Sequence, residues 1–291
     1  MEYLNLLSKN QAFGYLQKDI SIVTIKIRDY KTLILNTLLT RGRLKVRAQL
    51  VFNIWESRAF IAKGIVQNPS ISEALSDGVI AIGRGSTNAF IVGEFLAVTG
   101  NSDFEIDLNN YVAGLIDGSL WVSDPSTKTP EVAFYQGTPK FEPMDQTIEN
   151  ADIVIKGANA IGTDWIAGVL CAHPKGGTIG TVYAKAIAHG KKIIVPVSLE
   201  KMLPFPLTDI IPNLGGQHSI DYVRGLPVSV FPITGGEIFT ELEAFESITD
   251  EVEVHPIGAG GVYSGAGATI FEISGTKEEV GKIITVFEEI K

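Results

Sequence analysis

The residues best suited to hold an anion come directly after a short apolar run and before a helical stretch. They are Gly83, Arg84, Gly85, Ser86 and Thr87. Glycines allow a tight turn that exposes backbone N–H groups, the two hydroxyls can donate hydrogen bonds, and the arginine supplies a full positive charge. The spacing matches neither a Walker loop nor the full dinucleotide fingerprint. The segment predicts a seat for a phosphate or carboxylate group.

A second loop follows the apolar run 151–156 and contains Gly157 and Asn159. Open α/β sheets bind ligands at the carboxyl ends of their strands, so this loop is expected beside the first. The amide of Asn159 can both donate and accept hydrogen bonds. Asp164, five residues further on, is the best-placed carboxylate for acid–base chemistry.

A third loop contains Lys175, Gly176, Gly177 and Thr178 and opens a helix predicted over 178–189. It combines glycines, a cation and a helix N-terminus in the same way as the first loop. We expect these three loops together to bind a small anionic, phosphorylated or CoA-linked metabolite.

The first two loops also have a purely structural interpretation. Ser86 or Thr87 can cap the helix that follows, Asp164 can do the same, and Asn159 can form a turn in the left-handed conformation. These alternatives stay open at the level of sequence.

Other reactive side chains give weaker patterns. Glu94 joins Asp164 as a candidate for proton transfer. Cys171 and His173 are two residues apart, which points them in different directions on a predicted helix. The four histidines are scattered without metal-ligand spacing, so no metal site and no cofactor is predicted.

Short apolar runs alternate with helical stretches from residue 79 to residue 198. This order predicts an α/β fold with a mostly parallel, Rossmann-like sheet. Residues 29–66 are predicted to be helical because Val46, Leu50 and Ile54 recur at about helical spacing. We expect a helical N-terminal region over 1–70 and an α/β ligand-binding domain over 71–225.

The remaining residues, 226–291, show the order β-α-β-β-α. This is the ferredoxin-like arrangement without its final strand. The glycine-rich stretch 258–267 joins two of its strands, either as a flap over a ligand or as a long hairpin loop.

Composition and charge exclude several classes of protein. The chain has 45% apolar and 20% charged residues and no apolar run long enough to span a membrane. Its start lacks the layout of a signal peptide, and its lone cysteine cannot form an internal disulfide, so a cytoplasmic location is expected. Residues 1–63 carry eleven Lys/Arg against four Asp/Glu, while the chain as a whole has net charge −9.

That asymmetry has two interpretations. A basic N-terminus can bind nucleic acid, or it can pack on the acidic body of this chain or of a second copy. The apolar continuation 51–55 is typical of a core rather than of a DNA-recognition helix. This pattern argues against nucleic acid as a partner, and an apolar helical N-terminus favours a homo-oligomer.

Three windows resemble one superfamily: ribose-5-phosphate isomerases, glucosamine-6-phosphate deaminases and class I CoA-transferases. They are DGVIAIGRGSTNAFIVGEFL, ADIVIKGANAIG and GGTIGTVYAKAIAHGKKIIVPVS. The third is most similar to initiation-factor-2B-like sugar-phosphate isomerases, and the GAN sequence to lactate-utilisation domains. The resemblance covers roughly 78–98 and 151–198, and implies phosphate loops at these positions.

The chain departs from this pattern at the catalytic acids. Where isomerases carry acids it has Asn159, Gly162 and Ala184, and the nucleophilic glutamate of the CoA-transferases has no counterpart. An isomerase or acyl/CoA-type transferase is thus one hypothesis, and a non-catalytic metabolite sensor or accessory subunit is the second. The effector domain of a transcription regulator is the third.

Overall fold

The computed structural model describes residues 45–113, 126, 128–215 and 219–290. All of them lie in one compact unit, Lys45–Lys291. Within it the α-helices are α1 (Ile54–Ile65), α2 (Pro69–Asp77), α3 (Ser86–Val98), α4 (Met144–Thr147), α5 (Gly177–Ala188), α6 (Leu207–Ile210), α7 (Glu241–Ile248) and α8 (Lys277–Glu289). The strands are β1 (Val46–Phe52), β2 (Val79–Ile82), β3 (Val132–Tyr135), β4 (Thr138–Phe141), β5 (Ile153–Ile155), β6 (Ala160–Ile161), β7 (Ala167–Cys171), β8 (Lys192–Pro196), β9 (Ser229–Ile233), β10 (Glu237–Phe239), β11 (Glu253–Gly260) and β12 (Ala268–Gly275).

The central sheet has six strands in the order β10-β8-β5-β2-β3-β4. β10, β8, β5 and β2 run parallel, and the β3–β4 hairpin continues the sheet antiparallel to β2. Helices α3 and α5 follow β2 and β7 directly. The predicted α/β class with a mostly parallel sheet is confirmed.

The parallel strands are buried on both faces. Ile80 and Ile82 of β2 join one apolar cluster, while Ala81, between them, joins a second. The same alternation places Ile153 and Ile155 with the first cluster and Val154 with the second. Because successive side chains of a strand point to opposite faces, continuous apolar runs such as these mark a sheet covered on both sides.

The helical prediction is wrong over residues 46–52, which form β1. Val46, Leu50 and Ile54 are four residues apart, and this spacing fits a strand as well as a helix because four is a multiple of two. In β1, Leu50 and Phe52 are buried, whereas Val51 between them is exposed. Residues 1–44, which hold the rest of the predicted helical region, lie outside the described residues.

β1 pairs with β12, and β12 with β11, in a three-stranded antiparallel sheet. Phe52 of β1 contacts a cluster of aromatic rings edge to face, with centroids 5.0 Å from Phe60 of α1 and 5.4 Å from Phe271 of β12. Edge-to-face ring pairs add stability beyond the area that they bury.

The ferredoxin-like arrangement is not confirmed. β9 pairs with β7 in a third sheet, β6-β7-β9, while β11 and β12 pair with each other and with β1. β9 and β10 follow the predicted boundary near residue 225 but pair with β7 and β8, which precede it. Residues 258–260 of the glycine-rich stretch 258–267 belong to β11, and the rest forms the turn into β12.

Across the described residues, every helix is too short or too polar to cross a lipid bilayer.

Candidate functional site

The first predicted loop is held tightly against the neighbouring strand. Gly83 N–H donates to the carbonyl of Ile155 at 2.9 Å, and the buried amide of Asn88 donates to the carbonyl of Gly83 at 2.6 Å. Gly85 occupies the N-cap of α3, which therefore has no side-chain cap. Neither Ser86 nor Thr87 caps this helix.

The side chain of Tyr111 is hydrogen-bonded to the last residue of β2, directly before the first predicted loop. Its hydroxyl donates to the carbonyl of Ile82 and accepts from Val132 N–H at 3.2 Å. The side chain is fully buried, and burial raises the pKa of the Tyr111 hydroxyl. This hydroxyl therefore joins β2 to β3 at Ile82, two residues before Arg84.

A buried glutamate links the first and third predicted loops. Glu131 precedes β3, and the register that pairs Ile82 with Val132 places it beside Gly83. Its Oε1 accepts from the hydroxyl of Thr178 at 3.2 Å and lies 3.9 Å from Nε of Arg84. Its Oε2 accepts from the backbone N–H of Met144 at 2.8 Å. Sequence reasoning missed Glu131, because only strand register brings it to the site.

The third loop turns into α5 through glycines in the left-handed conformation. Gly176 has φ 75° and Gly177 φ 61°, values that favour glycine. A Cβ atom on Gly176 would also lie 2.9 Å from Cα of Gly180. The N–H of Lys175 donates to Nδ1 of His173 at 3.1 Å, which fixes the exposed loop beside the start of α5.

These segments surround a cavity of about 640 Å³ at the carboxyl end of β2. Its charged and polar lining comes from several separate segments: Arg84, Lys128, Glu131, Asp145, His173, Lys175, Thr178 and Thr181. Three cations face two carboxylates, and the N-terminus of the 12-residue helix α5 adds partial positive charge. The cavity is thus suited to a small anion.

A smaller pocket of about 150 Å³ adjoins this cavity and shares Arg84, Lys128 and Thr178 with it. Asn159 and Cys171 also line the pocket. The Asn159 side-chain oxygen accepts from Leu170 N–H at 3.0 Å, so it also joins its loop to β7.

Lys156 is the other charged group of the small pocket, and its residue is only 7% exposed. Its Nζ donates to the carbonyl of Gly157 at 3.1 Å. The pKa of Lys156 is lowered to about 8, chiefly by burial and also by the charge of Lys201. The charges of Glu131 and Cys171 act in the opposite direction. A lysine directly after an apolar strand was the sequence feature that could have identified it.

The structure brings six predicted residues to these two cavities: Arg84, Asn159, Lys175, Gly176, Gly177 and Thr178. Others support the loops without lining either cavity: Gly83, Gly85, Ser86, Thr87 and Gly157.

The two predicted proton-transfer carboxylates have structural partners elsewhere. Asp164 Oδ1 accepts from Leu207 N–H at 3.1 Å and its Oδ2 from Thr208 N–H at 3.0 Å, which caps α6. Partial desolvation acts to raise the pKa of Asp164, but the hydrogen bonds from Thr208 and Leu207 outweigh this effect, and the pKa is lowered. Glu94 pairs with Lys63 at 3.0 Å. Neither carboxylate lines the cavities described above.

Cys171 is buried, with Sγ 3.3 Å from the carbonyl of Gly176. Burial raises the pKa of its thiol, against the opposing effect of Lys156. Among the described residues, no three His, Cys, Asp or Glu side chains are grouped so that they could share a metal ion.

Comparisons with known proteins give a distant structural match. No family model matches the chain, and no curated protein matches it. Among solved structures it is similar to the Pyrococcus horikoshii OT3 translation initiation factor eIF-2B, with 17% identity and a TM-score of 0.36. The match covers 64% of this chain and 63% of that one, so the chain spans less than two thirds of its length. Function is therefore inferred from the chemistry of the site itself.

Proposed function

We propose that this chain binds a small anionic metabolite, of the phosphorylated or CoA-linked class, through an anionic group seated in the cavity beside α5. The observation that carries the proposal is the convergence of Arg84, Lys128 and Lys175 from three separate segments on one cavity of about 640 Å³. Cavities of this size accommodate small-molecule ligands.

The charge arrangement favours an anion over a neutral ligand. Both oxygens of Glu131 already accept hydrogen bonds, from Thr178 and from Met144. The nearest separation between Arg84 and Glu131 is 3.9 Å, which is too long for a hydrogen bond. The guanidinium thus retains donors for a ligand, and guanidinium groups bind phosphate and carboxylate oxygens in pairs.

A metabolite fits this site better than a nucleic acid. The cations face into a concave cavity, and the chain carries net charge −9. Duplex binding depends on a row of surface cations that contacts successive phosphates. The expected homo-oligomer and cytoplasmic location stay predictions.

Calorimetric titration with matched pairs of compounds tests the proposal. Glucose 6-phosphate is compared with glucose, glycerol 3-phosphate with glycerol, and inorganic phosphate and coenzyme A are titrated alone. We expect binding by at least one phosphorylated compound and none by its neutral partner. Equal binding within each pair, or no binding by any phosphorylated compound, would contradict an anion site.

A further inference from the structure

The small pocket beside the anion cavity presents two amines to a ligand: that of Lys128, which also lines the larger cavity, and the buried amine of Lys156. At about 150 Å³ it has room for a small polar group, such as the end of an extended ligand. It shares Arg84 and Thr178 with the larger cavity and adds Lys156 and Cys171. A ligand whose anionic group lies beside Arg84 can therefore place its other end against Lys156.

Lys156 differs in its partners from the lysines of this chain that form ion pairs. Lys63, Lys192 and Lys282 each pair with a carboxylate, at 3.0, 2.9 and 2.7 Å. Within the described part of the chain, Lys156 forms no ion pair, and its one hydrogen bond is to the carbonyl of the next residue. A buried ammonium group that is not paired with a carboxylate is unfavourable, so burial shifts this lysine towards the neutral amine, which is the nucleophilic form.

The thiol in the same pocket is the weaker candidate. Burial raises the pKa of Cys171, which keeps its sulfur protonated, and Sγ already contacts the carbonyl of Gly176 at 3.3 Å. Because the thiolate is the reactive form of cysteine, the amine is the better nucleophile in this pocket.

We infer that Lys156 is a nucleophile that forms an imine with an aldehyde or ketone group of the bound anionic ligand, an inference that rests on the proposed function. The Nζ lone pair attacks the carbonyl carbon and gives a carbinolamine. The former carbonyl oxygen then leaves as water with the two protons of the amine, and a C=N bond remains. No oxidant or further reactant is needed.

This inference narrows the ligand class to anions that carry a carbonyl group. It also gives the chain a reactive group of its own in a pocket that neither Asp164 nor Glu94 lines. Imine formation makes the carbon next to the former carbonyl more acidic, so it serves reactions that remove a proton there or cleave a carbon–carbon bond.

Reductive trapping tests the inference in the unmodified protein. Pyridoxal 5′-phosphate serves as a probe because it carries both a phosphate and an aldehyde; sodium borohydride reduces any imine, and peptide mapping by mass spectrometry locates the adduct. At pH 8 we expect about tenfold or more labelling of Lys156 over the exposed Lys140, because ordinary lysines are almost fully protonated there. Inorganic phosphate should compete with labelling of Lys156.

Pyridoxine 5′-phosphate, the matched alcohol, separates failure of this inference from failure of the proposed function. If the alcohol binds while Lys156 is labelled no more than Lys140, Lys156 is not the nucleophile and the anion site stands. If neither compound binds and Lys156 stays unlabelled, the inference is contradicted, and the titration with the sugar phosphates decides the anion site separately. An adduct that maps to Lys128 or Lys175 would also overturn the role of Lys156.

Two variants extend the test. Lys156→Arg retains the charge but cannot form an imine, and we expect it to lose the adduct. Lys140→Arg is the matched control and should keep both the adduct at Lys156 and the affinity for pyridoxine 5′-phosphate. An adduct retained at unchanged yield in folded Lys156→Arg would contradict the inference; if that variant does not fold, the peptide map of the wild type decides.

Discussion

Gly83 leaves the space that the side chain of Lys156 occupies. A Cβ atom placed on Gly83 would lie 3.0 Å from Cδ of Lys156 and 2.7 Å from Sδ of Met144. Cβ atoms in proteins are almost never as close as 2.7 Å to another heavy atom, and 3.0 Å is tighter than most of their contacts. The absence of a side chain at Gly83 therefore makes room for Met144 and for the stem of Lys156.

Gly83→Ala is expected to lower the free energy of unfolding by about 1–3 kcal/mol, because overpacking forces its neighbours to move. It should also reduce labelling of Lys156 by pyridoxal 5′-phosphate. Urea denaturation and the peptide map measure the two effects.

Gly85→Ala is the matched control for that variant. A Cβ atom on Gly85 would meet its nearest neighbour, Asn88, at 3.7 Å, an ordinary contact, and φ of 171° is extended backbone. We expect little change in stability or labelling. Equal losses of stability and of labelling in Gly83→Ala and Gly85→Ala would contradict a specific role of the contact between Gly83 and Lys156.

Arg84→Ala is expected to weaken binding of a phosphorylated ligand by about tenfold or more, because a charge-assisted hydrogen bond is lost. Arg47→Ala removes the same charge from β1, where Arg47 pairs with Glu272 at 3.1 Å, and should leave affinity unchanged. Calorimetry at two salt concentrations measures both. A similar loss in both variants would indicate a general effect of net charge.

Asp164→Ala is expected to lower the free energy of unfolding by about 1 kcal/mol, because the cap of α6 is lost. Ligand affinity should not change, since Asp164 does not line the cavities described above. Urea denaturation and calorimetry report the two quantities. A selective loss of ligand binding or turnover at unchanged stability would restore Asp164 as a site residue.

Tyr111→Phe is expected to destabilise the protein by about 1–3 kcal/mol, because it leaves the Ile82 carbonyl and the Val132 N–H buried without this partner. Tyr135→Phe is the comparison, since the Tyr135 hydroxyl bonds the side chain of Glu142 in a half-buried position. Denaturant unfolding should show the smaller loss for Tyr135→Phe. The reverse order would contradict the role of Tyr111 in joining β2 to β3.

Lys156 makes stability depend on pH in a defined direction. Its pKa is lowered from 10.5 to about 8 in the folded protein, so between these values the unfolded chain binds more protons than the folded one. Stability then rises with pH in this range. The unfavourable burial of the ammonium is fully present below pH 8 and is relieved as pH approaches 10.5.

Lys156→Met isolates this effect from the effects of other titratable groups. Met is unbranched and similar in length, so the variant should be the more stable protein near pH 7, and its advantage should shrink between pH 8 and pH 10. Urea denaturation of both proteins across this range measures the difference. An advantage that does not depend on pH would mean that Lys156 keeps an ordinary pKa.

The amino-acid sequence by itself determined the units of the central sheet. The apolar runs that become β2, β5 and β8 are continuous because both faces of the sheet are covered, and Gly83 and Gly157 mark where the chain leaves the first two. Residues 178–189 likewise carry a helical pattern that α5 confirms to within a residue at each end. These features are local, so sequence patterns can report them.

Only the tertiary structure decided which side chains meet. Glu131 reaches Arg84 and Thr178 through the register of β3 on β2, and Asp164 caps α6 because residues 207 and 208 fold back to it. The burial of Lys156 likewise depends on space left at Gly83, 73 positions earlier. β1 is a further example. Apolar residues at every fourth position fit a helix or a strand, and only pairing with β12 makes this segment a strand. Contacts between residues distant in sequence depend on pairing and packing that no local pattern encodes.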